Sequence, residues 1–307
     1  MNILITGCAG FIGSHAVDLF LSRGYSVIGV DCLTYAGSIN NMEKALNHKN
    51  FKWYKNDICD TESIISYCID HKISWILNFA AETHVDNSID SIDNFIHSNI
   101  LGVKSLLEVC RKTDTNIFQV STDEVYGSVS HGSFSEDSIL SPKNPYSATK
   151  AAAEHLVTSY SNTHGVKYII ARPSNNFGPR QHREKFIPTI LGSLSCGKKI
   201  PVYGNGKNIR DWLYVKNNVM IIEKMIRHSQ LNEIYNITSC NEMSNIELIN
   251  KITNILNLDF KSNVTFVNDR LGHDFRYSIC DKKIKERGFQ VESSFEKDLV
   301  DTIKDYS

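Results

Sequence analysis

Through its first 172 residues the chain alternates short apolar runs with longer amphipathic stretches, and no other feature of the sequence restricts its fold so strongly. Apolar runs at residues 2–6, 26–30, 51–54, 75–79, 117–121 and 168–172 read as strands, because a few consecutive β-branched and aromatic residues suit a strand covered on both faces. Between them, residues 12–23, 62–71, 92–111 and 146–164 repeat apolar positions at helical spacing. Strands joined through a helix of this length pair in parallel, through crossovers of fixed hand. The expected fold is α/β, a Rossmann-like doubly wound parallel sheet.

Beyond Arg172 the rhythm breaks. Pro173, Pro179, Pro188 and Pro201 appear, with Gly204 and Gly206 close behind, the punctuation of loops around a site or of a change of domain. Residues 211–229 return to a strand and then a helix, and 245–256 read as a helix in which Ser244 and Glu247 form a capping box. A smaller α/β C-terminal substrate domain is therefore expected from residues 175–210 and 239–307. The first domain takes residues 1–174, with 211–238 returning to it.

Composition narrows the class of function. The 307 residues suffice for two domains, at roughly 150 residues each. Lys+Arg 33 against Asp+Glu 34 gives a net charge of -1. No general positive field is left to hold a polyanion, so nucleic acid is not an expected partner. The eight cysteines show no C-x-x-C pair and no zinc-type Cys/His spacing, so they read as free thiols in a reducing compartment, and no metal is expected. The start, MNILITG, has no basic stretch leading into an apolar one, and nowhere do about 18 apolar residues run together. The expectation is a cytoplasmic protein without a membrane partner.

Three stretches carry chemistry. The first strand runs into TGCAGFIGS, which puts Gly7, Gly10 and Gly13 where a strand turns into a helix. Small residues there let backbone approach a pyrophosphate at the positive end of the helix. The same pattern also serves a plain tight turn, and its spacing departs from G-x-G-x-x-G. Asp31, at the end of the second strand, stands where a carboxylate accepts bonds from an adenosine ribose and repels a 2'-phosphate, which favours NAD over NADP. Tyr146 and Lys150 form Y-x-x-x-K, neighbours on one helix face. An ammonium beside a phenol lowers its pKa and makes it a base toward a sugar hydroxyl, while the bland reading is an ordinary surface pair. STDEVYG follows the fifth strand, where ligands of doubly wound sheets bind, so Thr122, Asp123 and Glu124 face the site. Two adjacent carboxyls in one pocket separate in pKa into an acid and a base, as elimination of water requires; in the bland reading they cap a solvated turn.

The sequence resembles the extended short-chain dehydrogenase/reductases, and within them the dTDP-glucose and UDP-glucose 4,6-dehydratases. The resemblance covers essentially the whole chain and rests on TGCAGFIGS, VDCLTYAGS, FAAETHVDNSI, STDEVYG, NPYSATKAAAE, RPSNNFGP, EKFIP, YGNGKNIRDWLYV and DRLGHDFRY in that order. It implies that Tyr146, with Lys150, takes the proton of the sugar 4-OH while hydride passes from C4 to NAD. Thr122 would hold the 4-oxygen, Glu124 remove the C5 proton, and Asp123 protonate the departing 6-hydroxyl. Hydride then returns to C6. The resemblance also places Phe11 and Ile12 at the cofactor diphosphate, Asp31, Cys32, Leu33 and Thr34 at the ribose, and Asp57 and Ile58 at the adenine. Ala80, Ala81 and Thr83 fall near the nicotinamide half, with Asn99 and Asn176 as further cofactor contacts. Substrate contacts implied are Thr83, His84, Thr122, Asn175, Lys185, Phe186, Pro201, Val202, Tyr203, Arg210, Asn245, Asp269, Arg270 and His273. Arg210 and Arg270 suit a diphosphate, since a guanidinium offers forked donors and keeps its charge.

THVDNS is closer to the UDP-glucose enzymes and PSNNFGP to the dTDP-glucose ones, so the pyrimidine stays open. A UDP-sugar 4-epimerase shares the fold and Y-x-x-x-K but needs no acid/base pair at C5 and C6. A non-catalytic NAD-binding regulator would have no need of Tyr146 or the acids. The resemblance further implies a homodimer in which helices 94–111 and 146–164 pack against their mates.

Overall fold

A computed structural model describes residues 1–269, 274–289 and 294–306. Its strands are β1 (Asn2–Thr6), β2 (Ser26–Asp31), β3 (Phe51–Lys55), β4 (Trp75–Asn78), β5 (Asn116–Val120), β6 (Tyr168–Pro173), β7 (Asn175–Phe177), β8 (Ile200–Tyr203), β9 (Ile209–Tyr214), β10 (Glu233–Ile237), β11 (Glu242–Ser244) and β12 (Val264–Val267). Seven of them form one sheet in the order β10-β6-β5-β4-β1-β2-β3. Every pair in it is parallel. The expected Rossmann-like doubly wound sheet is present.

Its apolar runs are continuous because both faces are covered. Ile3, Ile5, Val27, Leu77, Phe118 and Ile169 pack on one side with the helices Phe11–Ser22 and Val215–His228, while Leu4, Ile28, Ile76, Ile117 and Ile170 pack on the other with Thr61–Asp70 and Gly102–Thr113. The helix Pro145–His164 starts at Asn144, whose side chain and that of Ser147 close a capping box with Pro145 in the first turn, and it stops at Gly165 in a left-handed conformation. The helix expected at 92–111 is broken into Asp93–Phe95, a π-helical stretch Ile96–Leu101, and Gly102–Thr113. The wider π turn shifts the apolar stripe by one position.

The last third makes two small sheets, β11-β9-β7 and β12-β8. They share a third core with the helices Phe186–Ser195, Asn245–Ile255 and Phe295–Asp305, built on Phe177, Ile187, Trp212, Leu248 and Leu299. Ser244 and Glu247 do form the capping box. The strand and helix over 211–229 part company: β9 joins the small sheet, whereas Val215–His228 lies on the large one beside Phe11–Ser22. Among the described residues, no helix is long and apolar enough to cross a membrane.

Arg172, on β6, and Glu154, on the long helix, make a buried bidentate pair at 2.6 Å, and Arg172 also donates to the Tyr126 hydroxyl. Removing one partner of such a pair would leave an uncompensated charge in the interior. The pair therefore ties the helix carrying Tyr146 and Lys150 to β6, the strand next to the β10 edge of the sheet.

Candidate active site

The sheet order reverses between β1 and β4, which opens a crevice at their carboxyl ends. A row of buried side chains crosses it: Thr6 donates to Asn78 at 2.6 Å, Asn78 to Gln119 at 2.9 Å, and Gln119 to the Val120 carbonyl at 3.0 Å. The chain leaves β1 at Gly7 with φ +64, and a Cβ there would stand 2.7 Å from the Ala80 nitrogen. A Cβ on Gly13 would stand 2.1 Å from the Gly7 carbonyl oxygen. Only glycine fits either place, so the turn after β1, the loop after β4 and the start of the helix meet backbone to backbone. That helix begins with no capping side chain and no acid in its first turn, which leaves its amides and positive end for an anion.

Gly7, Gly10, Asp31, Cys32, Thr34, Asp57, Ile58, Ala80 and Ala81 line one cavity at this crevice. Asp31 accepts the Ala9 amide at 2.9 Å and the Leu33 amide at 2.8 Å, so the acid at the end of β2 is clamped to the glycine turn. Burial pushes its carboxyl up and the two amides oppose the shift. Leu33, at φ +59, is not in the cavity lining. Nor is Asn99, which is fully buried and binds both backbone groups of Glu82, at 2.9 and 3.0 Å, and the Thr149 hydroxyl. Asn99 braces the loop that carries Ala80 and Ala81.

A second cavity shares Gly7, Gly10 and Ala81 with the first and is lined further by Phe11, Ile12, Gly13, Thr83, Thr122, Asp123, Glu124, Tyr146, Lys150, Asn175, Asn176 and Lys185. Here the two adjacent acids have unequal surroundings. Among the described residues Asp123 accepts only from the Thr122 hydroxyl, at 3.3 Å, and its Oδ2 has no partner. Burial and the neighbouring Glu124 and Asp211 hold its carboxyl well above the usual range. Glu124 Oε2 accepts from Asn144 at 3.2 Å and from the Tyr277 hydroxyl at 3.4 Å. Burial raises it too, but Arg210 and Asn144 pull it back. Both carboxyls are raised, Asp123 the more strongly, so the arrangement favours a proton on Asp123 over one on Glu124.

Tyr146 is buried, with its ring against Phe95. Burial and the charge of Glu124 push its phenol up, and Thr122 works against them by a hydrogen bond. Lys150 lies on the same helix face, yet its ammonium donates to the Val120 carbonyl at 2.6 Å. Burial lowers it to about 8. The ammonium expected near the phenol is thus anchored at the end of β5.

A third cavity continues from the second through Thr83, Glu124, Asn175 and Lys185, and adds His84, Phe186, Pro201, Tyr203, Arg210 and Asn245. Lys185 donates to the Thr83 carbonyl at 3.0 Å. Arg210 lies 4.1 Å over the Tyr277 ring and donates to the carbonyls of Ile209 and Asp274 at 2.7 and 2.9 Å. Asn176 sits at the edge of the second cavity, bound to Asn218. His84 caps the short helix Val85–Asp90. Val202 points into the third core and not into the cavity. Asp269 lies against Gly204, also outside the lining. Arg270 and His273 fall outside the described residues.

The sequence reading missed Asn144, Trp212, Asp274 and Tyr277, all of which line the third cavity. Asn144 was within reach of it, since Asn before Pro-Tyr marks the start of the helix; Asp274 and Tyr277 come to Glu124 only through tertiary packing.

A doubly wound sheet with a glycine turn at its switch point, opening into a pocket of one tyrosine and two unequal acids, defines a nucleotide-dependent α/β enzyme. The family model for GDP-mannose 4,6 dehydratase matches residues 4–302. The chain is 44% identical to the low-salt glycan biosynthesis protein Agl12 of Haloferax volcanii, over 100% of this chain and 98% of that one. It is 38% identical to a dTDP-glucose 4,6-dehydratase of Escherichia coli, over 100% and 93%. The crystal structure of DesIV, a dTDP-glucose 4,6-dehydratase from Streptomyces venezuelae with NAD bound, superposes with a TM-score of 0.96 at 37% identity, covering 100% of this chain and 97% of that one. This chain belongs to the nucleotide-sugar 4,6-dehydratase family.

Proposed function

We propose that the protein is an NAD-dependent nucleotide-diphosphate-glucose 4,6-dehydratase, a hydro-lyase that turns dTDP-glucose or UDP-glucose into the 4-keto-6-deoxy sugar nucleotide and water. The observation that carries it is the pair Asp123 and Glu124, adjacent in sequence, unequal in environment and in one cavity with Tyr146. A 4-epimerase needs no such pair, because it touches neither C5 nor C6.

The residues at the crevice fit NAD: the glycine-only turn, the uncapped helix start and the clamped Asp31 suit a diphosphate and a ribose diol. Phe11 and Ile12 would hold its diphosphate, Asp31, Cys32 and Thr34 its ribose, and Asp57 and Ile58 its adenine. When bound, NAD supplies a hydride acceptor at C4 and a donor at C6. Tyr146 takes the proton of the 4-hydroxyl, with the Thr122 hydroxyl holding the same oxygen. Once C4 is a ketone the C5 proton is acidic, and Glu124, the acid more readily ionised, removes it. Asp123 gives its proton to the 6-hydroxyl, which departs as water. Arg210 and Lys185 hold the substrate diphosphate from the third cavity.

Purified protein given dTDP-glucose and UDP-glucose separately is expected to yield a product lighter by one water. An unchanged mass with galactose as the sugar would make it an epimerase and overturn this reading. The two pyrimidines differ by one methyl, worth about 1–3 kcal/mol of discrimination, so both are expected to react at unequal rates.

We further propose a first domain of residues 1–174 and 211–238 that holds NAD, and a second of 175–210 and 239–307 that holds the sugar nucleotide. β9 enters the small sheet, so the return to the first domain begins in practice with the helix Val215–His228. Location in the cytoplasm and a role in making a deoxysugar of the rhamnose type complete the proposal; the relative named for glycan biosynthesis supports a glycan as the destination. A homodimer fits the exposed Ile92, Ile96 and Leu101, at 38, 37 and 50%, on the helical segment beside Pro145–His164. Sedimentation is expected to give twice the chain mass, and a monomer at micromolar concentration would refute the dimer.

A further inference from the structure

Asp57, Cys59 and His97 come together at the rim of the first cavity, with one ligand-type atom from each lying within 4.8 Å of the others. We infer that this trio is a binding site for a divalent transition cation, zinc above all, and that its occupation opposes loading of the nucleotide cofactor. Carboxylate, thiolate and imidazole are a set that suits zinc and not magnesium or calcium, which prefer oxygen ligands alone. The D-x-C pair lies 38 residues before the histidine, a spacing unlike that of structural zinc motifs, so only the fold reveals it.

The geometry is close to what the ion needs. Ligand bonds of about 2.0–2.3 Å in a tetrahedron put neighbouring ligand atoms some 3.3–3.7 Å apart. Asp57 Oδ2 and His97 Nε2 are already 3.0 Å apart, joined by a hydrogen bond that the cation, seated to one side of the pair, would displace as the two atoms open by a few tenths of an ångström. The other Asp57 oxygen is fixed by the Cys59 amide at 2.8 Å, so Oδ2 is held toward the ring. The Cys59 thiol reaches the His97 carbonyl at 3.6 Å and has only to turn toward the ring. The two segments are also locked together: a Cβ on Gly102 would stand 2.4 Å from Ile58, and Thr61 bonds Ser105 at 2.7 Å. Cys59 would surrender its proton on binding, and a water would complete the coordination. His97 sits in the first turn of the π-helical stretch Ile96–Leu101. There its ring meets Asp57, two residues past the end of β3.

Asp57 and Ile58 line the cavity assigned above to the adenosine half of NAD. A cation that holds the Asp57 carboxylate withdraws it from that cavity, and cation and cofactor then compete by linkage. This second step rests on the proposed cofactor; the site itself does not.

The cation arm uses Co²⁺ as a spectroscopic probe on the purified full chain, with Zn²⁺ as competitor. A thiolate-to-cobalt charge-transfer band is expected, displaced by Zn²⁺ and lost in Cys59→Ser, while Cys196→Ser retains it. His97→Asn is expected to weaken Co²⁺ binding by more than the roughly 10- to 100-fold that loss of an outer-shell partner costs. No such band, or a band kept in Cys59→Ser, would overturn the site. The cofactor arm measures NAD binding by calorimetry with and without saturating Zn²⁺. Weaker NAD binding in wild type, and no effect of Zn²⁺ in Cys59→Ser, is the expected result. Equal NAD affinity with the cobalt band present would overturn the opposition and leave the cation site standing. Absence of any NAD binding would instead count against the proposed function.

Discussion

Replacing Tyr146 with phenylalanine is expected to lower the first hydride transfer by about 10²–10⁴ while leaving the fold and the binding of NAD and sugar nucleotide in place. The substitution removes one oxygen and keeps the ring that packs edge-on against Phe95, so no cavity opens and the start of the long helix is undisturbed. What disappears is the group placed to accept the 4-hydroxyl proton. The other candidates nearby cannot replace it. Lys150 is committed to the Val120 carbonyl, and burial and Glu124 hold the Asp123 carboxyl well above the usual range, which favours its protonated form. Because burial and Glu124 raise the phenol in the free protein, its activation depends on charges drawn together when the ligands bind. The wild-type rate is therefore expected to climb with pH in single-turnover measurements of nicotinamide reduction, and the variant to show no such climb. A variant that reduced bound NAD at the wild-type rate would remove Tyr146 from the mechanism.

The parts of this molecule that could be read from the sequence are those in which neighbours in sequence act together. Five strands of the large sheet, β1, β2, β4, β5 and β6, are buried on both faces and stand out as runs. The glycine turn, T-D-E and Y-x-x-x-K each sit on one strand end or helix turn, so spacing alone groups their residues. The small sheets were not legible. β7, β8, β11 and β12 have three or four residues each, too few for a period, and Pro201 interrupts β8. Residues 92–111 read as one helix because a π turn leaves composition unchanged and alters only the phase. Asn99 reads from sequence either as a cofactor contact or as a buried amide satisfying backbone, and its side chain binds both backbone groups of Glu82. Local pattern cannot tell a polar residue facing a ligand from one facing its own main chain. Tyr277 and Asp274 lie about 150 residues beyond Glu124. They come to bear on Glu124 because their segment pairs with Ile209 of β9, which brings the Tyr277 hydroxyl to the Glu124 carboxyl.

The two acids give the other large effect, and here the variants are expected to stop the reaction at different points. Glu124→Gln should still oxidise C4, since Tyr146 and the glycine turn are untouched, but it has no base for C5. Reduced nicotinamide should then accumulate on adding substrate, with loss of water slowed about 10²–10⁴. Asp123→Asn keeps the shape of a protonated acid without a transferable proton. Departure of the 6-hydroxyl should slow to a similar degree, and exchange of the C5 hydrogen with solvent deuterium should continue, because Glu124 still works. The pH dependence follows from the same division. Glu124 acts ionised, so the rate falls as pH drops through its raised pKa; Asp123 acts protonated, so the rate falls as pH rises through its own, which lies higher. Two carboxyls this close titrate as a pair, and the limbs of the profile belong to both. In Asp123→Asn the alkaline limb should vanish from the residual activity and the acid limb should remain. If Glu124→Gln neither accumulated reduced nicotinamide nor lost dehydration, or if both variants blocked C5 exchange alike, the roles given to the two acids would be wrong.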